Sequence, residues 1–293
     1  MRCRLRRYIS YKHLPFATFY GMLVSGKKGV IFMPVRTIDR RAVKAEAKEL
    51  LRTASVSPLK FTALLLLIDL ALDEVAAAVG FFWQNDWNHV SIGFSGYNLS
   101  LSFAAVLVTL LSTVLYAGYT NYCLCVQRGV AMPYESLFDA FPFAGKVILL
   151  SVIEGVVTAF GFLLFIFPGI YLTFAYAFSI YHLCEDPGTG VLEALRRSRE
   201  EMKGYKMQLF TLLLSFFPLL LLAGLAVGLC QTFLPLDAIP ETLSGELART
   251  LVNGLISGCA ALYIEPYLSI AKAGFYRRVT AEGREETREP WEL

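Results

Sequence analysis

Residues 165–172 read Phe-Ile-Phe-Pro-Gly-Ile-Tyr-Leu, in the middle of an apolar run from about 146 to 184. A transmembrane helix needs about 20 mainly apolar residues, so this run is too long for one crossing. Proline suits the first turn of a helix, where its missing N–H leaves nothing unpaired. Phe167-Pro168-Gly169 therefore reads as a tight hairpin between two spans, about 146–167 and 168–184. The alternative is a single kinked helix. The choice sets the topology, because four other spans follow from the pattern: about 59–82, 99–124, 207–230 and 247–271.

Composition points the same way. The 293 residues are 56% hydrophobic and only 17% charged, with a mean hydropathy of +0.53; soluble domains carry about 25% charged residues. The net charge of +3 conceals a segregated pattern. Of the 27 Lys and Arg residues, 26 fall in 1–60, 125–146, 185–206 and 272–293, and none in 83–98, 167–169 or 231–246. Basic residues stay on the cytoplasmic side. Six spans place all four basic segments there, with both termini inside. Five spans would send 185–206 outside and break the pattern. The expected fold is all-α: a six-span polytopic protein, N-in and C-in. This charge pattern also argues against a nucleic-acid partner, which would need a basic stripe on a folded polar domain.

Three parts are expected: a basic extension over 1–37, a membrane domain over 38–276 and a polar tail over 277–293. The extension lacks the apolar core and small-residue cleavage site of a signal peptide. Met33 precedes an amphipathic segment, so the natural start is expected near it and 1–32 upstream of it; the alternative is a basic arm on an anionic membrane surface. In 39–54, Asp39 is a candidate N-cap. Val43, Ala47, Leu50, Leu51 and Ala54 make an apolar side, and Arg40, Arg41, Lys44, Lys48 and Arg52 a basic one. Residues 189–203 repeat the layout after the Asp186-Pro187-Gly188 turn, with Thr189 as cap and Gly204 as stop. Val191, Leu192, Leu195 and Met202 are expected to face the membrane. Such helices lie on a membrane surface, so the expected partners are lipids and the anionic headgroups of the inner leaflet. A shorter surface piece is expected at 133–141. A second copy of the chain, or another membrane protein, is left open as a further partner.

Three acids interrupt the apolar spans: Asp69, Glu154 and Glu265. An Asp at the centre of a span costs about 2.5–3.5 kcal/mol on insertion, against about 0.3–0.6 gained by each Leu, Ile, Phe or Val; the thirteen such residues in 59–82 offset it. Asp73, one turn on, shares the face of Asp69. Glu154 and Glu265 lie at similar depth, where they can approach each other. Intramembrane acids mark pathways or buried polar contacts. The first reading is a proton or cation pathway lined by these three; the second is neutral structural acids.

Other positions carry weaker signals. Pro266, followed by Tyr267, opens the backbone ladder of the last span, as a kink or a broken-helix site. Gly254 and Gly258 form a GxxxG contact motif. Tyr119-Thr120-Asn121-Tyr122 can supply interhelical hydrogen bonds. His89, between Trp87 and Tyr97, reads as an aromatic-belt residue, and Asn98-Leu99-Ser100 is a chance glycosylation triplet. The six cysteines show no zinc spacing, and no catalytic or cofactor signature occurs.

Several motifs together resemble a known family. They are "IDRRAVKAEAKELL" at 38–51, Gly118…Asn121…Arg128-Gly129 leading to "SLFDAF" at 136–141, "FPGIYLTFAYAFSIYHLCEDP" at 167–187, "EALRRSREEMKGYKMQLFTLLLSF" at 193–216 and "EPYLSIAKAGFY" at 265–276. The chain from Ile38 to Tyr276 resembles the bacterial integral-membrane family known as domain of unknown function 975. Members often carry His where this chain has Tyr205, and Glu265 is not expected in every member. The resemblance implies a multi-pass protein of the bacterial cytoplasmic membrane and implies no activity. A looser likeness to the membrane domain of glycerophosphodiester phosphodiesterases hints at lipid-related work. The expectation is a non-enzymatic membrane module that serves envelope organisation or handles lipid or a small hydrophobic molecule. The alternative is a small proton- or cation-coupled transporter using the buried acids.

Overall fold

The apolar runs fold mainly as helices, several of which are broken within a run, at Phe165, at Ala177-Phe178 and at Ser215-Phe216. The computed structural model describes residues 37–82, 89–94, 97–234, 240 and 242–286. The basic extension before Thr37, Trp87 and the last residues of the tail lie outside the described residues. The order is α1 (Arg40–Thr53), α2 (Pro58–Phe82), β1 (His89–Phe94), β2 (Tyr97–Ser102), α3 (Phe103–Gln127), two short 3-10 turns (Tyr134–Phe138 and Phe141–Phe143), α4 (Ala144–Leu164), α5 (Ile166–Tyr176), α6 (Ser179–Glu185), α7 (Val191–Glu201), α8 (Lys206–Leu214), α9 (Phe217–Phe233) and α10 (Leu243–Glu286).

Among the described residues, three stretches are long and apolar enough to cross a membrane: Tyr134–Leu164, Ile166–Glu185 and Leu243–Thr280. The α8–α9 pair, bent by 42°, makes a fourth when counted as one span. α2 and α3 each run for 25 residues. α2 carries Asp69, Asp73 and Glu74 in its apolar run, and the second half of α3 is rich in Tyr.

The hairpin at residues 165–172 is present, but its turn falls earlier than the motif suggested. Phe165 is extended (φ −162°, ψ 156°) and separates α4 from α5, while Pro168 and Gly169 sit in the first turn of α5. Gly169 allows the closeness of the two helices: a Cβ there would lie 2.4 Å from the Phe162 ring.

Three further expectations change. The all-α picture gains a β-hairpin, β1 against β2, with His89 opposite Ser102 and Phe94 opposite Tyr97. The alternation Val90-Ser91-Ile92-Gly93-Phe94 has the period of a strand. Leu99 and Leu101 were counted into a span that instead begins at Phe103. The side chains of His89 and the Asn98 triplet lie outside the described residues.

Next, the amphipathic helices bury their apolar sides in protein. Val43 is 1% exposed and Ala47 0%, and α1 packs against α10. Its basic side is tied down in part: Lys44 Nζ donates to Ser215 O (3.1 Å) and lies over the Phe216 ring. An ammonium there satisfies a carbonyl freed at the end of α8, as helix termini require. Arg278 of α10 meets Glu46 at 2.7 Å. In α7, Val191, Leu195 and Met202 are buried in the protein, and only Leu192 of the expected lipid-facing set is exposed. Amphipathic spacing reveals an apolar face and is blind to whether lipid or protein covers it.

Finally, Thr189 does not cap α7, whose N-cap is Gly190. Its hydroxyl donates to Asp186 Oδ2 (3.0 Å), while Gly188 N–H donates to Asp186 Oδ1 (3.0 Å). Lys146 Nζ donates to Pro187 O (2.6 Å), which ties this turn to the start of α4. Asp39 caps α1 as expected, accepting from Arg41 N–H. Gly204, at φ +86°, lies beyond the end of α7, where glycine is the residue that takes this conformation readily.

Candidate functional site

The break between α5 and α6 organises the region of greatest chemical interest. Residues 177 and 178 leave the helical ladder. Backbone groups freed in an apolar setting need partners, and α7 supplies them. Buried Ser198 donates to Ala175 O (3.0 Å) and accepts from Phe178 N–H (3.2 Å).

A cavity of about 490 Å³ opens beside this break, between α4, α5, α8 and α10. Ligand pockets span roughly 300–1,000 Å³. Its polar lining is Ser151, Glu154 and Thr158 from α4, Thr173 from α5 and Lys272 from α10. Phe174, Phe178, Leu209 and Leu213 supply apolar wall. The Ser179 hydroxyl is within hydrogen-bond reach of the Glu154 carboxylate. Glu154 Oε1 is nevertheless buried and has no hydrogen-bond partner. Lys272 makes no hydrogen bond or ion pair among the described residues.

The three acids read from the sequence each meet a hydroxyl, in separate places. Asp69 accepts from Ser112 Oγ of α3 at 2.9 Å. Glu265 accepts from Tyr116 Oη of α3 (2.5 Å) and from Ser269 Oγ (3.0 Å) within α10. Only Glu154 lines the cavity. No described hydrogen bond joins any two of the three.

Pro266 is buried within a continuous α10, and Tyr267 packs edge-on against Phe216 at 4.9 Å. Gly254 meets α2 closely, since a Cβ there would lie 2.3 Å from Leu70, whereas Gly258 faces open space. Tyr119 hydrogen-bonds Thr62 across α3 and α2 (2.8 Å), and Tyr122 donates to Val56 O (2.8 Å). Among the described residues, no group of three or more His, Cys, Asp or Glu is placed to hold a metal ion.

A second polar cluster was missed by sequence reasoning. His182, on α6, is 5% exposed. Its Nε2 lies 2.9 Å from Glu201 Oε2 of α7, at an angle that makes no hydrogen bond. Its Nδ1 lies 3.2 Å from Tyr276 Oη of α10. Tyr276 also donates to Glu185 Oε2 (2.8 Å), and Arg128, just beyond the end of α3, pairs with Glu185. Four segments thus meet through one connected set of side chains. The available signal was that His182, Glu185, Glu201 and Arg128 all lie near the ends of apolar runs. Nothing in their spacing showed that those ends converge.

No curated protein and no solved structure matches the chain, so the looser likeness to glycerophosphodiester phosphodiesterases has no match behind it. Both the cavity and the His182 cluster, apart from Arg128, fall within the one stretch that a family model covers. Over residues 149–283 the chain matches the model of the family described as "Protein of unknown function (DUF975)", a stretch that takes in the motifs at 167–187, 193–216 and 265–276, while those at 38–51 and 118–141 lie outside it.

Proposed function

We propose that this chain is a six-span protein of a bacterial cytoplasmic membrane, with both termini inside, that binds a small amphiphile without chemically altering it. The observation that carries the reading is the cavity at the α5–α6 break, with an apolar wall and a buried, unpartnered carboxylate oxygen. Discontinuous helices in membrane proteins are a recurrent way to present polar groups to a ligand. Gly155 and Thr173, at the cavity edge, are exposed, so an amphiphile has a lateral entrance. The six-span topology rests on the segregation of Lys and Arg. Lipids of the inner leaflet remain the expected partners of the exposed basic side chains Arg40, Arg41, Lys48 and Arg52.

The test is native mass spectrometry of the full chain in a mild non-ionic detergent. The wild type is expected to carry retained amphiphile. Gly155→Trp, which fills the cavity, is expected to lose it while keeping its melting temperature. Equal retention by both proteins would refute the reading.

A second reading, a proton- or cation-coupled transporter, draws on the same orphan oxygen of Glu154. Asp69 and Glu265 lend it less, because neither lines the cavity.

A further inference from the structure

The cavity holds two ionisable groups of opposite sign, and neither has an ion partner. Glu154, on α4, keeps Oε1 buried and unpaired. Lys272, on α10, lines the same space with no described hydrogen bond or ion pair. The two do not pair with each other, since no contact within the 4.0 Å limit of an ion pair joins them. Each group is half-buried. Leaving a charge unpaired in apolar surroundings is costly. A ligand of a single sign would satisfy one group and be repelled by the other.

We infer that the ligand is a zwitterionic amphiphile, whose ammonium is accepted by Glu154 and whose anionic group is held by Lys272. This inference rests on the cavity being an amphiphile site. The hydroxyls of Ser151, Thr158 and Thr173 supply further hydrogen bonds to the headgroup, and the wall of Phe174 and Leu213 receives apolar chain. Aromatic rings beside a carboxylate also favour an organic cation. The same chemistry is offered by a membrane lipid of the aminophosphate type or by a free single-chain amphiphile.

The experiment uses the full chain in dodecyl maltoside and three twelve-carbon probes read by native mass spectrometry. They are lauroyl lysophosphatidylethanolamine (zwitterion), lauroyl lysophosphatidylglycerol (anion) and dodecylamine (cation). The wild type is expected to bind the zwitterion at least tenfold more tightly than either other probe. Glu154→Gln is expected to erase its advantage over the anion, and Lys272→Met its advantage over the cation. Lys272→Arg is expected to keep both.

A singly charged probe that binds as tightly as the zwitterion overturns the inference and leaves the amphiphile site standing. So does an unchanged preference in both neutral variants. Absence of saturable binding by all three probes overturns the inference and the site together. The wild-type comparison needs no variant, so a substitution that fails to fold does not blunt it. Retention of a two-chain lipid through purification points to the membrane as the source; retention of single-chain species alone points to a free amphiphile.

Discussion

Replacing Gly118 by alanine sets two physical effects against each other. Gly118 lies inside α3, where alanine is favoured over glycine by about 0.5–1 kcal/mol through backbone entropy. Sequence reasoning alone predicts a more stable protein. The structure predicts the opposite. A Cβ on Gly118 would lie 1.9 Å from the Leu137 carbonyl oxygen and 2.8 Å from its carbonyl carbon. Reaching even a 3.0 Å contact requires a shift of about 1.1 Å between two backbones. The obstructing atoms belong to the 3-10 turn Tyr134–Phe138, whose Leu137 is fully buried, so no flexible side-chain end can yield.

Overpacking of this kind costs about 1–3 kcal/mol, and a backbone obstruction belongs at or above the top of that range. At about 2–4 °C per kcal/mol, a net loss near 3 kcal/mol lowers the melting temperature by about 6–12 °C. The assay is thermal unfolding of the purified protein, followed by loss of the monodisperse peak in size-exclusion chromatography. Gly224→Ala serves as the control, since nothing lies within 4 Å of a Cβ there. If Gly118→Ala melts at or above the wild-type temperature, the close approach of α3 to this turn is refuted.

Other substitutions probe the remaining contacts. Val43→Asp puts a charge into the α1–α10 contact and is expected to release α1; trypsin then cuts at Arg52 at least tenfold faster, and unchanged protection would show that the apolar face of α1 rests elsewhere. Tyr276→Phe keeps the ring but removes the hydroxyl that meets His182 and Glu185. Leaving such groups unpaired costs about 1–3 kcal/mol, read as a lower melting temperature, and an unshifted melt would remove the cluster from the stabilising contacts. Single cysteines placed at Lys203 and Asn85 are expected to be alkylated by an impermeant reagent from opposite sides of sealed membranes; labelling from the same side would break the six-span topology.

The apolar runs, the turn near Pro168, the cap at Asp39 and the positive-φ glycine beyond α7, Gly204, were legible in the sequence. Each depends on residues close together in the chain: hydrophobic length, a missing N–H, a side-chain oxygen two residues away, a glycine able to take positive φ. The three acids were visible as interruptions for the same reason. Their surroundings were not. Whether Asp69 faces Ser112, or Glu265 faces Tyr116, depends on how α2 and α10 are rotated against α3, and a uniformly apolar helix gives little signal of its rotation. The hairpin at 89–102 was lost to the apolar count, although its alternation was there to be read.

The covering of α1 and α7 by protein, and the meeting of Glu154 and Lys272 in one cavity, belonged to the tertiary structure alone. Residues 154 and 272 stand far apart in the chain, and no local rule links them. Only packing of α4 and α10 around the broken α5–α6 stretch brings them to one space. Hydrophobic burial is non-directional, so it dictated that these segments leave water. Side-chain shape and the demand for hydrogen-bond partners then selected which faces meet.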